Sequence, residues 1–320
     1  MTLLLNAADV KRLLTPALCA DAVEDAFRQL ASGKVPAPGI LGMHGGEGGF
    51  HVKAGFLTVA GRAYFAAKLN ANFPGNPRRV LPSIQGAVIL SDAERGTPLA
   101  IMDSMSITAL RTAAASAVAA KYLARPECDT LLVCGCGAQA PAQLAALIEV
   151  RRPRRVLAYD LDADRAEAFS RAVGAKPMAD LAEAARSADI IVTCTSATRF
   201  FLTTEMVRPG TFIAAVGADS EHKQEIDPRL MARARIVTDL TEQALKIGDL
   251  HHAVDAGASA YAELAELAAG LKPGRTTAEE ITIFDSTGTG LQDVAAAVAT
   301  YRAAVSLDAG RRFDFNDRTP

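Results

Sequence analysis

Apolar and polar positions along this chain follow two patterns, and the change falls near residue 106. Before it, "GFHVKAGFLTV", "AYFAAKLNANF" and "IQGAVILSDAERGTPLAIMD" are strand-length apolar runs. The last is interrupted at Asp92 to Gly96, which has the composition of a hairpin turn. A helical pattern across "TPALCADAVEDAFRQLASGK", with Thr15 placed to cap it ahead of Pro16, and a Gly-rich stretch from Pro36 to Gly49 come first. Together these predict an α+β region built on an antiparallel sheet. From "SITALRTAAASAVAAKYLA" onward the chain reads as a long Ala-rich helix, a strand, a glycine turn, a helix, strand "RRVLAYD", helix "ADRAEAFSRAVG" and strand "DIIVTCTS". That alternation predicts a parallel, doubly wound sheet, so the fold class is α/β with a Rossmann-type sheet beside an α+β domain. Further strands are expected at "TFIAAVGAD", "ARIVTD" and "ITIFDSTG", and a final helix across "LQDVAAAVATYRAAVSL".

Composition narrows the class. A chain of 320 residues, half of them apolar, can bury two ordinary cores. The net charge is −2 and lysines, arginines and carboxylates are interspersed, with no basic block of the kind that tracks a phosphate backbone, so a nucleic-acid partner is not expected. The five cysteines include no CxxC pair, which suggests neither a disulfide framework nor a zinc site; no metal is expected, and a reducing, cytoplasmic setting fits. The opening "MTLLLNAADVKRLLTP" is apolar for only a few residues before it turns polar and helical, matching neither a signal peptide nor a membrane span.

The chemistry is concentrated where "TLLVC" runs into Gly135-Cys136-Gly137-Ala138-Gln139-Ala140, a GxGxxA between a strand and a helix. Gly135 permits the tight turn, Gly137 lets the backbone approach a pyrophosphate, and Ala140 allows close helix packing, with the helix N-terminus facing the anion. About twenty residues on, the next strand ends in Asp160, which can accept hydrogen bonds from both ribose hydroxyls of NAD and would repel a 2′-phosphate. NAD(H) is therefore expected over NADP(H), with Asp162 and Arg165 close enough to modify the preference. A bare βα turn with Asp160 capping a helix is the plainer alternative.

The segments "KLNANFPGN", "MDSMSITALRTAAASAVAAKYLA", "GCGAQA", "VGADSEHKQEID" and "PGRTTAEEITIFDSTGTGLQD" together resemble the ornithine cyclodeaminase and mu-crystallin family across nearly the whole chain. The resemblance implies a substrate-binding and dimerising domain, residues 1–112 completed by 290–320, with an NAD-binding Rossmann domain at 113–289, and a homodimer. It implies a nicotinamide set beside a carbon bonded to nitrogen, next to a carboxylate. By position, Lys68 falls at the substrate, Arg111 at its carboxylate, Ser83 at a substrate threonine, and Asp219 at the proton carrier. Thr112, Thr195, Lys223 and Ser286 fall at cofactor positions, with Gly135, Gly137, Ala138, Gln139 and Asp160. Read alone, Lys68 could face solvent from an alternating strand, Arg111 could be a surface arginine at the start of a helix, and Asp219 could cap a helix over "SEHKQEID".

The chain departs from that pattern at a substrate cation. An arginine that ornithine cyclodeaminase and mu-crystallin carry shortly after a proline falls here near Pro38 and Gly39, in "VPAPGILGMHGGEGGFHVKAG". The nearest replacement is Lys53, where iminosuccinate reductases have a lysine in "FKSG", with His51 two residues earlier on the same strand face. Both could instead project to solvent from an edge strand. The expected activity is an NAD(H)-dependent imine reductase or amino-acid dehydrogenase acting on a small amino, imino or keto acid, of alanine or aspartate/iminosuccinate type. A redox-neutral deaminating cyclase and a non-enzymatic, crystallin-like NAD-binding protein are the alternatives.

Overall fold

The computed structural model describes residues 1–315. The chain divides into two compact units, Met1–Arg111 with Thr289–Pro320, and Thr112–Gly288. Of the closing segment expected at 290–320, residues 316–320 lie outside the described residues.

The first unit begins with strand β1 (Thr2–Leu5) and helices α1 (Ala7–Leu13) and α2 (Pro16–Ala31). Asn6 and Thr15 cap the two helices, each side chain accepting from backbone N–H groups that have no partner within the helix. Strands β2 (Gly39–Gly45), β3 (Gly48–Val59), β4 (Arg62–Asn72), β5 (Ile84–Asp92) and β6 (Pro98–Asp103) follow, and lead directly into α3 (Ser104–Leu123). The β5–β6 turn is held by Asp92, whose Oδ1 accepts from the backbone of Glu94 and Arg95.

The second unit alternates β7 (Thr130–Cys134), α4 (Ala140–Val150), β8 (Arg155–Tyr159), α5 (Ala163–Val173), β9 (Lys176–Pro177), α6 (Leu181–Ser187) and β10 (Ile190–Thr193). It continues through β11 (Thr198–Leu202), β12 (Phe212–Ala215), β13 (Gln224–Ile226), α7 (Pro228–Arg233), β14 (Arg235–Thr238), α8 (Thr241–Ile247), β15 (Ala260–Glu263), α9 (Leu264–Ala268) and β16 (Thr282–Asp285). Eight of these strands form one parallel sheet in the order β15-β14-β16-β12-β10-β7-β8-β9. The winding reverses at β7, which has β8 on one side and β10 on the other, and such a reversal opens a crevice at the strand C-termini.

The chain returns to the first unit as α10 (Gly290–Ser306) and β17 (Arg311–Phe313). The seven-stranded sheet there has the order β17-β1-β6-β5-β4-β3-β2, with α10 packed on β3 and β4. The expected strands β3 to β6 pair antiparallel, and β1, which was not expected as a strand, makes the sheet mixed by pairing parallel with β6. An apolar N-terminal "TLLL" satisfies its backbone by adding to the β6 edge. The Gly-rich stretch also contains a strand, β2, an exposed edge whose partner is β3. Gly55 and Gly290 bring α10 against β3: a Cβ on Gly290 would lie 2.2 Å from the Ala54 carbonyl oxygen, and one on Gly55 3.0 Å from that of Gly290. No helix among the described residues is long and apolar enough to cross a membrane.

Candidate functional site

In the first unit, register decides the chemistry. Lys53 on β3 stands directly across from Lys68 on β4, and His51 across from Asn70, so all four share the face that carries α10. β3 lies between β2 and β4, which removes the edge-strand alternative for Lys53 and His51. Like charges placed opposite one another disfavour pairing, and here the Asp293 carboxylate interacts with both lysines and offsets this. Lys68 is 3% exposed, which excludes a solvated face for it. Its Nζ donates to Asp293 Oδ1 at 2.7 Å and to Thr108 Oγ1 at 3.1 Å.

Arg111 reaches the same carboxylate. Its Nε donates to Asp293 Oδ1 at 3.0 Å, and Nη1 to Gln292 Oε1 at 2.9 Å. The expectation that Arg111 begins a helix is corrected here: α3 starts at Ser104, and Arg111 lies one turn beyond Thr108. That offset puts both side chains on the helix face toward Lys68.

The electrostatics follow from burial. Desolvation first, then the charges of Arg111 and Lys53, pull the Lys68 ammonium down to about 7 against the opposing pull of Asp293. Burial would push Asp293 up, but Lys68, Arg111 and Lys53 hold its carboxyl below the usual carboxylate range. Lys68 therefore exchanges its proton near neutrality beside two further cations, an arrangement able to grip a carboxylate and to give or take a proton. Ser83 lies in the loop before β5, where its carbonyl accepts from the Phe73 backbone.

In the second unit the glycine turn follows β7. Gly135 has φ +92°, in the region that favours glycine, and a Cβ there would lie 2.7 Å from Thr195 Cγ2. Nothing lies within 4 Å of the position a Gly137 Cβ would take. Asp160 supports the turn: its Oδ2 accepts from Cys136 N at 2.8 Å and its Oδ1 from Asp162 N at 2.9 Å. After Ala138, Gln139 stands at the α4 N-cap position without a side-chain capping bond, and its Oε1 is buried with no partner among the described residues. Open space beside Gly137, uncapped helix N–H groups and a fixed acid at the end of β8 are what a dinucleotide requires, and these residues fit one.

The remaining positions divide. Asp219, after β12, is half-exposed and paired with Lys223 at 2.6 Å. The segment it opens forms turns and then β13, so Asp219 caps no helix. Thr195 and Ser286 are held by acids distant in the sequence. Thr195 N and Oγ1 both donate to Glu225 Oε1 at 2.7 Å, and Ser286 Oγ donates to Asp239 Oδ2 at 3.4 Å. Thr112 is buried in α3, its carbonyl accepting from Ser116 Oγ.

Glu225 belongs to a set of fully buried carboxylates with Asp249 and Asp285. Glu225 Oε2 accepts from Thr193 Oγ1 and Gly217 N, tying the end of β10 to the loop that follows β12. Burial raises all three carboxyls; Asp285, with Asp239 and Glu225 adding to the effect, reaches about 7. The folded chain thus holds protons that the unfolded chain releases from about pH 4 upward. The stability this gives is complete below that pH and is lost as pH rises through about 7 and beyond. Asp249 Oδ1 accepts from the backbone of Glu225 and Ile226, while Oδ2 has no partner among the described residues. Asp249→Asn keeps the used oxygen and removes the charge. It should raise the melting temperature by ~2–4 °C at pH 8, with the gain vanishing toward pH 5; scanning calorimetry at both values checks this, and an equal change at both would refute it.

Two functional candidates, Asp293 and Glu225, were not singled out in the sequence. Asp293 stood inside a recognised block, "GTGLQD", where an acid in the first turn of a helix reads as a dipole partner. Glu225 stood inside another such block, "VGADSEHKQEID", whose run of charged residues gives no strand signal, although Glu225 lies in β13.

The model of the ornithine cyclodeaminase/mu-crystallin family matches residues 1–307. An archaeal alanine dehydrogenase dimer with bound NAD superposes with a TM-score of 0.91 at 38% identity, covering 98% of this chain and 99% of that one. The Delta(1)-pyrroline-2-carboxylate reductase of Thermococcus litoralis, in complex with NADH and L-proline, gives 0.90 at 32%, over 98% and 100%. The iminosuccinate reductase of Paracoccus denitrificans, in complex with NAD+, gives 0.89 at 34%, over 97% and 98%.

Proposed function

Because the chain belongs to the ornithine cyclodeaminase/mu-crystallin family, we propose that it is an NAD(H)-dependent oxidoreductase acting on the C–N bond of a small amino or imino acid. The observation that carries this reading is Lys68, buried, proton-labile near neutrality and linked through one carboxylate oxygen to Arg111. Gly135, Gly137, Asp160 and the α4 N-terminus would hold the dinucleotide, with Thr112, Thr195, Lys223 and Ser286 at further cofactor positions. Bound NADH would supply a hydride to an imine carbon. Lys68 would hold the proton needed at the nitrogen, Arg111 and Lys53 would grip carboxylate oxygens, and Asp219 would relay protons from solvent. His51 and Ser83 would complete the substrate contacts. The three solved relatives named above, an alanine dehydrogenase, a pyrroline-carboxylate reductase and an iminosuccinate reductase, support a redox reaction.

The test is purified protein with NADH and, in turn, pyruvate, glyoxylate or oxaloacetate with ammonia or methylamine, and cyclic imines. NADH oxidation with at least one of these is expected, faster than NADPH oxidation because of Asp160. Release of ammonia from a diamino acid on catalytic NAD, with no net change in nicotinamide absorbance, would place the protein on the cyclodeaminase branch.

The face of the first sheet away from α10 supports a homodimer. Phe56, Phe65, Leu69 and Ile89 share it by register, and Phe56, Leu69 and Ile89 are 42%, 46% and 46% exposed. An exposed apolar face of this kind marks an interaction surface, and the archaeal alanine dehydrogenase is itself described as a dimer. Leu69→Glu should give a monomer in light scattering; an unchanged mass would remove this face as the interface.

A further inference from the structure

We propose that Asp293 is a positioning residue, whose Oδ1 fixes Lys68 and Arg111 as one rigid pair that receives the substrate carboxylate and serves the reacting nitrogen. This deepens the imine-reductase reading, and its kinetic part rests on that reading.

Geometry supports it from three sides. One oxygen accepts from Lys68 Nζ at 2.7 Å and Arg111 Nε at 3.0 Å, although the three residues are far apart in sequence and come from a strand and two helices. The next side chain back, Gln292, takes Nη1 of the same guanidinium, so two successive residues of α10 set the plane of Arg111. The Gly55–Gly290 contact brings the first turn of α10 against β3, which allows a side chain as short as aspartate to reach β4.

Stability alone is a poor account of this arrangement. A buried ion cluster is often no better than an apolar one of the same shape, and Asp293 Oδ2 is buried without a partner among the described residues. Sharing one oxygen between two cations has a cost, and it holds the Lys68–Arg111 spacing constant. The charged and polar groups facing Lys68 are Arg111 and Thr108 of α3, Asp293 of α10 and Lys53 of β3. Among these Asp293 alone favours the protonated ammonium through its charge, so it also sets where Lys68 titrates.

The test uses full-length Asp293→Asn, which preserves shape and removes charge. Two readouts are followed against pH: kcat/KM for the imine, and the ε-carbon signal of Lys68 in lysine-labelled protein, assigned with Lys68→Met. The Lys68 midpoint should move below that of the wild type, and kcat/KM should fall about ten- to a hundredfold. NADH affinity, read by fluorescence, should not change. A purely structural role would lower the melting temperature and leave the Lys68 midpoint where it was, and that result overturns the proposal. If Asp293→Asn does not fold, Asp293→Glu decides: the charge stays but the oxygen is displaced by one methylene, so kcat/KM should fall at least about tenfold, and wild-type kinetics would overturn the proposal. Failure of the wild type to reduce any imine would sink the reading of function, while the Lys68 titration would still report on Asp293.

Discussion

Lys68→Met should lower kcat for imine reduction by at least about a hundredfold, the usual contribution of a positioned acid or base, while NADH affinity is unchanged. Methionine is close to lysine in length and apolar, so a site that is 3% exposed stays filled. What is lost is the proton and the donors to Thr108 and Asp293. Asp293 keeps Arg111 as a partner, so the variant should fold with a reduced melting temperature. In the wild type the sign of the pH dependence follows from Lys68 titrating at about 7. The protonated form that serves reduction dominates below this value and declines above it, so reductive turnover should fall through neutrality while amino-acid oxidation rises. Single-turnover kinetics across pH measure both. A Lys68→Met enzyme with most of its activity, or a reductive profile flat through pH 7, would remove Lys68 from the chemistry.

Gly135→Ala should weaken NADH binding by at least about tenfold and leave the Lys68 titration intact. The backbone there has φ +92°, where an L side chain costs about 1–2 kcal/mol, and the added Cβ would meet Thr195 Cγ2 at 2.7 Å and the Cys194 carbonyl oxygen at 2.9 Å. Relief cannot come from Thr195, because Glu225 holds its backbone N–H and its hydroxyl. The turn itself must therefore shift, taking with it Cys136 N, the group that Asp160 binds. Fluorescence titration with NADH checks the result; unchanged affinity would mean that this turn does not carry the dinucleotide.

Much of this was legible in the sequence, because it depends on patterns a few residues long. β7, the glycine turn, α4 and β8 could be read in order, since an apolar run, a residue free to adopt positive φ and a helical period are each local. The Asp92 turn and the Thr15 cap were legible for the same reason. The parallel pairing of β1 with β6 was not, because "TLLL" specifies an extended apolar segment but not the edge that will accept it. Nor was β2, whose glycines weaken any strand signal and whose conformation is set by its partner β3.

The candidate site divides along the same line. The residue types in the sequence determined that a lysine in "AAKLNANF" and an arginine in "TALRTAAA" would be available, and the glycine turn determined where a dinucleotide could dock. Only the tertiary structure decided that Lys68 is buried, that Lys53 faces it across one strand pair, and that Asp293, brought in by α10, is the oxygen both cations share. Glu225 beneath Thr195 was decided in the same way. Charge and burial act through space over a few ångströms, whatever the separation along the chain. A lone acid in a helix or loop therefore reads as solvated until the fold removes its water and supplies its partners.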